Sequence, residues 1–225
     1  MVRMTMKNFY ERRALEYSRV DREGIARYRI ALRMVDLAEG CAVLDVGCKG
    51  GHLRDILREQ GTQVHYTGVD ISETVLGMVE GPGDAFRQSD VMDGLPFGDG
   101  AFDVAFCLEL VEHVENPSFV VRELKRVVKP DGAIVLSAPN PYYYEEFLAN
   151  LLHRPDTEGH ISTFTPRAIR RLVSFQGLDV ERTTGTWIRV PYWPFRPVRS
   201  GRYFLMRLCP ALLACSVIYR VARAR

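Results

Sequence analysis

The sequence predicts an α/β fold, in which a mostly parallel sheet of seven strands has helices on both faces. The first observation is the order strand, glycine turn, helix. The strand segment 43–46 passes directly into Gly47-Cys48-Lys49-Gly50-Gly51, and the amphipathic segment 52–59 follows. The second observation is that strand-like and helix-like segments alternate along most of the chain. This alternation is typical of sheets that bind their ligands at the carboxyl ends of the strands.

Periodicity and capping residues place the elements of the N-terminal half. Helices are predicted over residues 8–19, 25–37, 52–59 and 72–80, and strands over 43–46, 64–69 and 85–89. Gly40 follows the second of these helices, and Ser72 is suited to cap the fourth. The glycines of the turn remove the Cβ atoms that would keep a ligand away from the backbone.

Proline and glycine punctuate the C-terminal half. Helices are predicted over 117–128 and 166–176, and strands over 133–137, 178–184 and 216–222. Residues 95–104 lead into a further strand, the fourth, which reaches Leu108. Both helices begin with proline after a capping Asn or Thr, and Gly177 ends the second. Prolines make 187–197 a loop, and 202–214 is predicted to be helical. The β-branched and aromatic residues of 216–222 favour a final strand, with one helix over 202–222 as the alternative.

Acidic residues stand at three predicted strand ends. Asp45 precedes the glycine turn, Asp70 ends the second strand, and Asp90 with Val91 follows the third. A dinucleotide fingerprint, G-x-G-x-x-G, needs no acid before its glycines, whereas D-x-G-x-x-G-G suits a ligand that carries an ammonium group. A carboxylate at the position of Asp70 can accept both hydroxyls of a ribose.

These motifs resemble those of the class I S-adenosylmethionine (SAM)-dependent methyltransferases. The first motif is similar to D/E-x-G-x-G-x-G, with Lys49 in place of the middle glycine. Residues 95–104 resemble the segment that leads into the fourth strand of these methyltransferases, and residues 127–132 resemble the turn before their fifth strand. The resemblance implies a Rossmann-like sheet that closes with an antiparallel strand. It also implies SAM as cofactor, held by Asp45, Gly47, Gly51, Asp70, Ile71, Asp90, Val91 and Leu108.

A second group of residues follows the fourth strand. If a helical turn starts there, Glu109, Glu112 and His113 share one face. The pattern E-x-x-E-H, with His160 later in the chain, resembles O-methyltransferases of ubiquinone synthesis and of small RNA 3′ ends, where it binds a divalent cation. Relatives without metal also carry the Glu-His pair. We therefore predict that His113 or His160 acts as a metal-free base or contacts the substrate, and we predict no metal.

Composition limits the domain organisation and the cellular location that can be expected. The chain has 225 residues, predicted to form one domain over 1–225 with an N-terminal helical lid at 1–38 and a basic, aromatic-rich segment at 186–225. No apolar run reaches the ~18 residues of a spanning helix, no secretion signal is evident, and the five cysteines fit reduced thiols. A cytoplasmic protein is expected, with peripheral binding to a membrane as a further option.

Charge is distributed unevenly. Residues 182–225 carry nine arginines and no acid, whereas 34–181 carry 12 basic and 24 acidic residues. The basic ends indicate an anionic partner, which is a membrane surface, a phosphorylated substrate or, less favoured, nucleic acid. The alternative is that the arginines are scattered over solvated faces. The predicted function is methyl transfer from SAM to a small-molecule acceptor, lipid-linked or phosphorylated. The alternatives are an RNA 2′-O-methyltransferase, which lacks a recognisable RNA-binding module here, and a non-catalytic SAM-binding protein. Oligomeric state is left open.

Overall fold

A computed structural model describes residues 5–19, 22–79, 85–156, 158–186 and 214–224. Seven strands form one sheet in the order β3-β2-β1-β4-β5-β7-β6. The strands are β1 (Cys41–Val46), β2 (Val64–Asp70), β3 (Ala85–Gln88), β4 (Phe102–Leu108), β5 (Val128–Pro139), β6 (Leu178–Gly185) and β7 (Ser216–Arg223). Strands β1 to β5 pair in parallel, and β7 runs antiparallel to β5 and β6. The predicted fold class, including the antiparallel final strand, is confirmed.

Eight α-helices connect the described strands. They are α1 (Met6–Arg12), α2 (Ala14–Tyr17), α3 (Arg22–Leu32), α4 (His52–Glu59), α5 (Glu73–Leu76), α6 (Pro117–Val127), α7 (Tyr144–Leu151) and α8 (Pro166–Ser174), with 3₁₀ turns at Val91–Asp93 and Val111–His113. The predicted helix 8–19 is interrupted at Arg13, and the predicted helix 72–80 is only one turn long. Helix α7 was not predicted. The loop predicted at 187–197, and all of the helix predicted at 202–214 except Ala214, lie outside the described residues.

Two apolar layers pack on opposite faces of the sheet. Successive side chains of a strand point to opposite faces, and β4 shows this directly. Val104, Phe106 and Leu108 belong to the layer that includes Leu53 and Leu57 of α4. The intervening Ala105 and Cys107 belong to the layer beneath α6 and α8. Helices therefore cover both faces of the sheet, as the sequence predicted.

The strand order reverses between β1 and β4, and this reversal positions the site. In open α/β sheets the ligand crevice forms outside the carboxyl ends of strands at such a point. The glycine turn lies there, and the backbone N–H of Gly47 donates to the Val69 carbonyl at 2.8 Å. Gly47 and Gly51 have φ of +76° and +75°, and Lys49 adopts φ +49° without the freedom of a glycine.

Candidate active site

A cavity of about 580 Å³ opens at the carboxyl ends of β1, β2 and β4. Seven residues that the sequence assigned to cofactor or catalysis line it: Gly47, Asp70, Ile71, Asp90, Val91, His113 and His160. Tyr10 of α1 and Arg27 of α3 complete the wall from the N-terminal helices. The chain thus brings together, from five separate regions, most of the residues that its motifs indicated.

Asp70 is held rigidly on this wall. One carboxylate oxygen accepts the backbone N–H of Lys49 at 2.9 Å, and the other accepts that of Ser72 at 3.0 Å. The two bonds tie the glycine turn to the start of α5. Burial raises the pKa of the Asp70 carboxyl, although the backbone hydrogen bonds oppose the rise. Each oxygen keeps further acceptor capacity for hydroxyl groups of a ligand.

Asp90 and Val91 occupy the next part of the wall. Asp90 caps the 3₁₀ turn Val91–Asp93, and its side chain accepts the backbone N–H of Met92 at 2.9 Å. Val91 is buried and Met92 lies beside it on the cavity wall. A carboxylate next to two apolar side chains can bind an amino-substituted aromatic ring by its edge and its face.

Three predicted cofactor residues, Asp45, Gly51 and Leu108, do not line the cavity. Asp45 is only 1 % exposed and accepts a hydrogen bond from the Tyr66 hydroxyl at 2.7 Å. Burial raises the pKa of Asp45 to about 7. Leu108 belongs to the core and Leu110 reaches the wall in its place, because the strand ends there and the chain turns.

Gly51 instead begins α4 in the left-handed conformation, and a Cβ added there would lie 3.2 Å from the Phe86 ring. Its role in the described structure is to let the helix pack closely on β3. The absence of a side chain at this position serves packing rather than direct access to the cavity.

Glu109 contradicts the predicted helical face. The turn after β4 is a 3₁₀ helix that starts only at Val111, and Glu109 itself has φ +52°. Its carboxylate accepts hydrogen bonds from the Ser137 hydroxyl at 2.7 Å and the Ser216 hydroxyl at 3.1 Å, and it pairs with Arg27 at 2.8 Å. Glu109 therefore points to β5 and β7 rather than along a helix with Glu112 and His113.

Arg27 is a site residue that sequence reasoning missed. It lies on α3, within the predicted lid, and its guanidinium also donates to the Ser216 hydroxyl at 3.4 Å. Arg27, Glu109 and Lys49 all line the cavity. The wall therefore offers both signs of charge close together, which suits a zwitterionic amino-acid group. No local signal marks Arg27, because its partners lie far away in the sequence.

His113 is a neutral imidazole with a defined tautomer. Its Nδ1 lies 3.2 Å from the Gly159 carbonyl oxygen, which can only accept, so Nδ1 carries the proton and Nε2 is left as an acceptor. Burial lowers the pKa of His113 to about 4, despite the hydrogen bond to Gly159. A group with this pKa is a weak proton acceptor at neutral pH.

His160 lies beside His113, with ring centroids 4.8 Å apart. Its Nδ1 is 3.0 Å from a carboxylate oxygen of Asp156, which also accepts the His160 backbone N–H at 3.1 Å. Asp156 therefore fixes both the backbone and the ring, and the other ring nitrogen, Nε2, lies 3.6 Å from a carboxylate oxygen of Glu158 on the cavity wall. A carboxylate–imidazole pair of this kind is suited to proton transfer.

Glu112 completes a three-residue cluster with these imidazoles. Ligand atoms of Glu112, His113 and His160 lie within 4.8 Å of one another. Glu112 is 1 % exposed, and neither carboxylate oxygen has a hydrogen-bond partner among the described residues. Burial and the neighbouring Glu109 raise the pKa of Glu112 well above its usual range. One carboxylate and two imidazoles fit a divalent cation as a three-ligand set, without Glu109.

Helix α1, part of the segment predicted to be a lid, contributes residues to the cavity wall. Thr5 caps it, and Met6 and Tyr10 face the cavity. Phe9 packs against Gly159, where an added Cβ would come within 2.6 Å of its ring. The Gly159 backbone thus connects the lid to the His113–His160 pair.

The sheet order and the acid-lined crevice define a class I SAM-dependent methyltransferase, and SAM is its cofactor. The match to a family of methyltransferase domains over residues 12–183 shows that the chain belongs to that family. A ubiquinone biosynthesis O-methyltransferase of Dechloromonas aromatica (strain RCB) is 32 % identical over 160 residues, which span 65 % of this chain and 68 % of the relative.

Two further comparisons agree with this assignment. A ubiquinone biosynthesis O-methyltransferase of Pseudomonas paraeruginosa (strain DSM 24068 / PA7) is 36 % identical over 51 % of this chain and 55 % of its own length. A chain in the complex between the Haloferax volcanii Trm112 methyltransferase activator and a methyltransferase has a TM-score of 0.75. It is 17 % identical, with 98 % of both chains covered. The last comparison supports the fold alone.

Proposed function

We propose that this methyltransferase transfers the methyl group of SAM to a hydroxyl of a small molecule of the quinone-precursor class, lipid-linked in its natural form. The observation that carries the proposal is the pair of imidazoles, His113 and His160, on the wall of the cofactor cavity. The names of the Dechloromonas and Pseudomonas relatives support a hydroxyl acceptor.

The assignment of SAM to the cavity follows from complementary chemistry. Asp70 accepts the two ribose hydroxyls, and Asp90 with Val91 and Met92 holds the adenine. Arg27 and Glu109 receive the carboxylate and the ammonium of the methionine portion, because they are an oppositely charged pair on the same wall. Gly47 lets the cofactor approach the backbone. Asp45 supports the turn from below, through Tyr66, rather than by direct contact.

The reaction is an in-line displacement at the methyl carbon. The acceptor oxygen forms a bond to carbon as the carbon–sulfur bond breaks, and the sulfonium becomes a neutral thioether. The hydroxyl proton passes to an imidazole. We assign it to Nε2 of His160, because Asp156 holds that ring through Nδ1 and the low pKa of His113 disfavours protonation there.

The cluster of Glu112, His113 and His160 gives a specific alternative for the same step. These residues would hold a divalent cation, which when bound supplies a Lewis acid that lowers the pKa of the acceptor hydroxyl. The metal-free hypothesis predicts that exhaustive chelation leaves turnover unchanged. If chelation abolishes turnover and Mg²⁺ or Zn²⁺ restores it, then the two histidines bind a metal ion, and neither acts as the base.

The experiment is methyl transfer from isotopically labelled SAM to hydroxylated aromatic acceptors of the quinone-precursor type. We expect His160→Gln to lower kcat by on the order of 100-fold, with SAM affinity unchanged. His153→Gln is the matched control, since His153 is an exposed histidine absent from the cavity wall. Label appearing in RNA instead, or SAM binding without turnover on any acceptor, would overturn the proposed function.

A further inference from the structure

Two buried serines hold the carboxylate of Glu109. Ser137 of β5 is 0 % exposed and Ser216 of β7 is 2 % exposed, and neither of them lines the cavity, whereas Glu109 does. We call Ser137 and Ser216 the serine clamp. Because the serine clamp lies behind the cavity wall, its hydroxyl groups can act on a ligand only through Glu109.

Ser137 fixes both the backbone and the side chain of Glu109. The Ser137 hydroxyl oxygen accepts the Glu109 backbone N–H at 3.0 Å, and the same hydroxyl donates to Oε1 of Glu109 at 2.7 Å. Glu109 adopts φ +52°, a left-handed conformation that a residue with a Cβ keeps only where its surroundings hold it. The reciprocal bonds to Ser137 hold it, so the carboxylate has one defined direction.

Ser216 holds the second carboxylate oxygen together with its cation. The Ser216 hydroxyl donates to Oε2 of Glu109 at 3.1 Å and accepts from the Arg27 guanidinium at 3.4 Å. The guanidinium also contacts Oε2 directly, at 2.8 Å. Thr186 fixes the backbone of Ser216, since the Thr186 hydroxyl accepts the Ser216 N–H at 2.9 Å. Ser216 therefore keeps Arg27 and Glu109 in one arrangement.

These contacts leave Glu109 with a small and defined capacity to bind a ligand. An ionised carboxylate offers about four acceptor positions, divided between its two oxygens. Among the described residues, Ser216 and Arg27 use both positions of Oε2, and Ser137 uses one position of Oε1. A single position on Oε1 remains. Since Glu109 lines the cavity, that position can accept one N–H donor of a ligand.

We propose that Ser137 and Ser216 are positioning residues for the methionine end of SAM, because they orient Glu109 to accept a hydrogen bond from the ammonium group. The inference rests on the proposed function, in which Arg27 and Glu109 bind the carboxylate and the ammonium. Without the serine clamp, Glu109 would turn both oxygens to the Arg27 guanidinium, since these two groups favour a bidentate pair. Such a pair would redirect Glu109 away from the ammonium.

The test compares S-adenosylhomocysteine with two analogues by isothermal titration calorimetry. One analogue has hydrogen in place of the amino group, and the other has hydrogen in place of the carboxylate. We expect Ser137→Ala to raise the Kd for S-adenosylhomocysteine by on the order of tenfold, since a hydrogen bond to a charged group is lost. The analogue without the carboxylate should be weakened as much, and the analogue without the amino group by less than about twofold.

A second variant and a control complete the experiment. Ser216→Ala should change the three Kd values in the same pattern. Ser174→Ala should change none of them, because Ser174 is an exposed serine of α8 that is absent from the cavity wall. Steady-state kinetics should show that both clamp variants raise the KM for SAM more than they lower kcat. Thermal melting shows whether each variant is folded.

Equal weakening of all three ligands by both clamp variants would overturn the inference, because the serines would then support only the fold. Unchanged affinity for S-adenosylhomocysteine in both variants would overturn it as well. Either result would leave the proposed function intact. If instead the wild-type chain binds S-adenosylhomocysteine and the analogue without the amino group equally well, Glu109 does not receive the ammonium. The assignment of the methionine portion would then fail together with the inference.

Discussion

Replacing Asp70 by asparagine would remove a negative charge from the cavity while leaving the shape of the side chain almost unchanged. In the structure both carboxylate oxygens are already oriented by backbone N–H groups, those of Lys49 and Ser72. An asparagine keeps one acceptor oxygen, so one charge-assisted bond to a ribose hydroxyl is lost and the other is weakened. The loss amounts to about 2–4 kcal/mol.

That free energy corresponds to an increase in the Kd for SAM of roughly 30- to 1,000-fold. Isothermal titration calorimetry measures it directly. Asp131→Asn, on an exposed turn of β5, should leave the affinity unchanged. Thermal melting of the Asp70→Asn variant should accompany the calorimetry. The new amide NH₂ group faces a backbone N–H donor, so the variant is expected to be less stable.

The decisive measurement is a double-mutant cycle with S-adenosylhomocysteine and its 2′,3′-dideoxy analogue. If Asp70 contacts the ribose, removal of the two hydroxyls weakens ligand binding to the wild-type chain strongly. The same removal weakens binding to the Asp70→Asn variant much less. Strictly additive losses would refute the assignment. Asp70 would then act only by tying the glycine turn to α5, and the ribose would lie elsewhere on the wall.

Two further predictions concern buried charge. Arg27→Met should raise the KM for SAM by on the order of tenfold or more, because it leaves the Glu109 carboxylate without its cation. Steady-state kinetics would measure this change. The control is Arg29→Met, since Arg29 is an exposed arginine of the same helix. Burial raises the pKa of Asp45 to about 7, so the folded chain holds a proton that the unfolded chain releases. Asp45 should therefore contribute a fall of about 2 kcal/mol in stability from pH 5.5 to pH 8.5 without SAM, as urea unfolding would measure. Asp45→Asn keeps an acceptor for Tyr66 and should make the pH dependence smaller by about this amount; an unchanged slope would contradict the assignment.

Local patterns in the sequence were sufficient for much of the architecture. The alternation of strand and helix signals, the glycine turn after β1 and the proline-led starts of α6 and α8 all depend on neighbouring residues. The acids that follow β2 and β3 could be placed for the same reason, since strands that pair in parallel end at one edge. Helix α7 had a readable signal as well, because its apolar residues recur at helical spacing.

Only the tertiary structure decided which side chains reach the cavity. One further residue along a strand changes the direction of a side chain, so Leu110 faces the cavity where Leu108 was expected. Glu109 binds Ser137, Ser216 and Arg27 instead of continuing a helix with Glu112. Arg27 and Ser216, 189 positions apart, meet at Glu109 because β7 returns beside β5. Spacing along the chain determined the sheet and its ligand-binding edge, whereas pairing between distant segments determined the charges that surround the ligand.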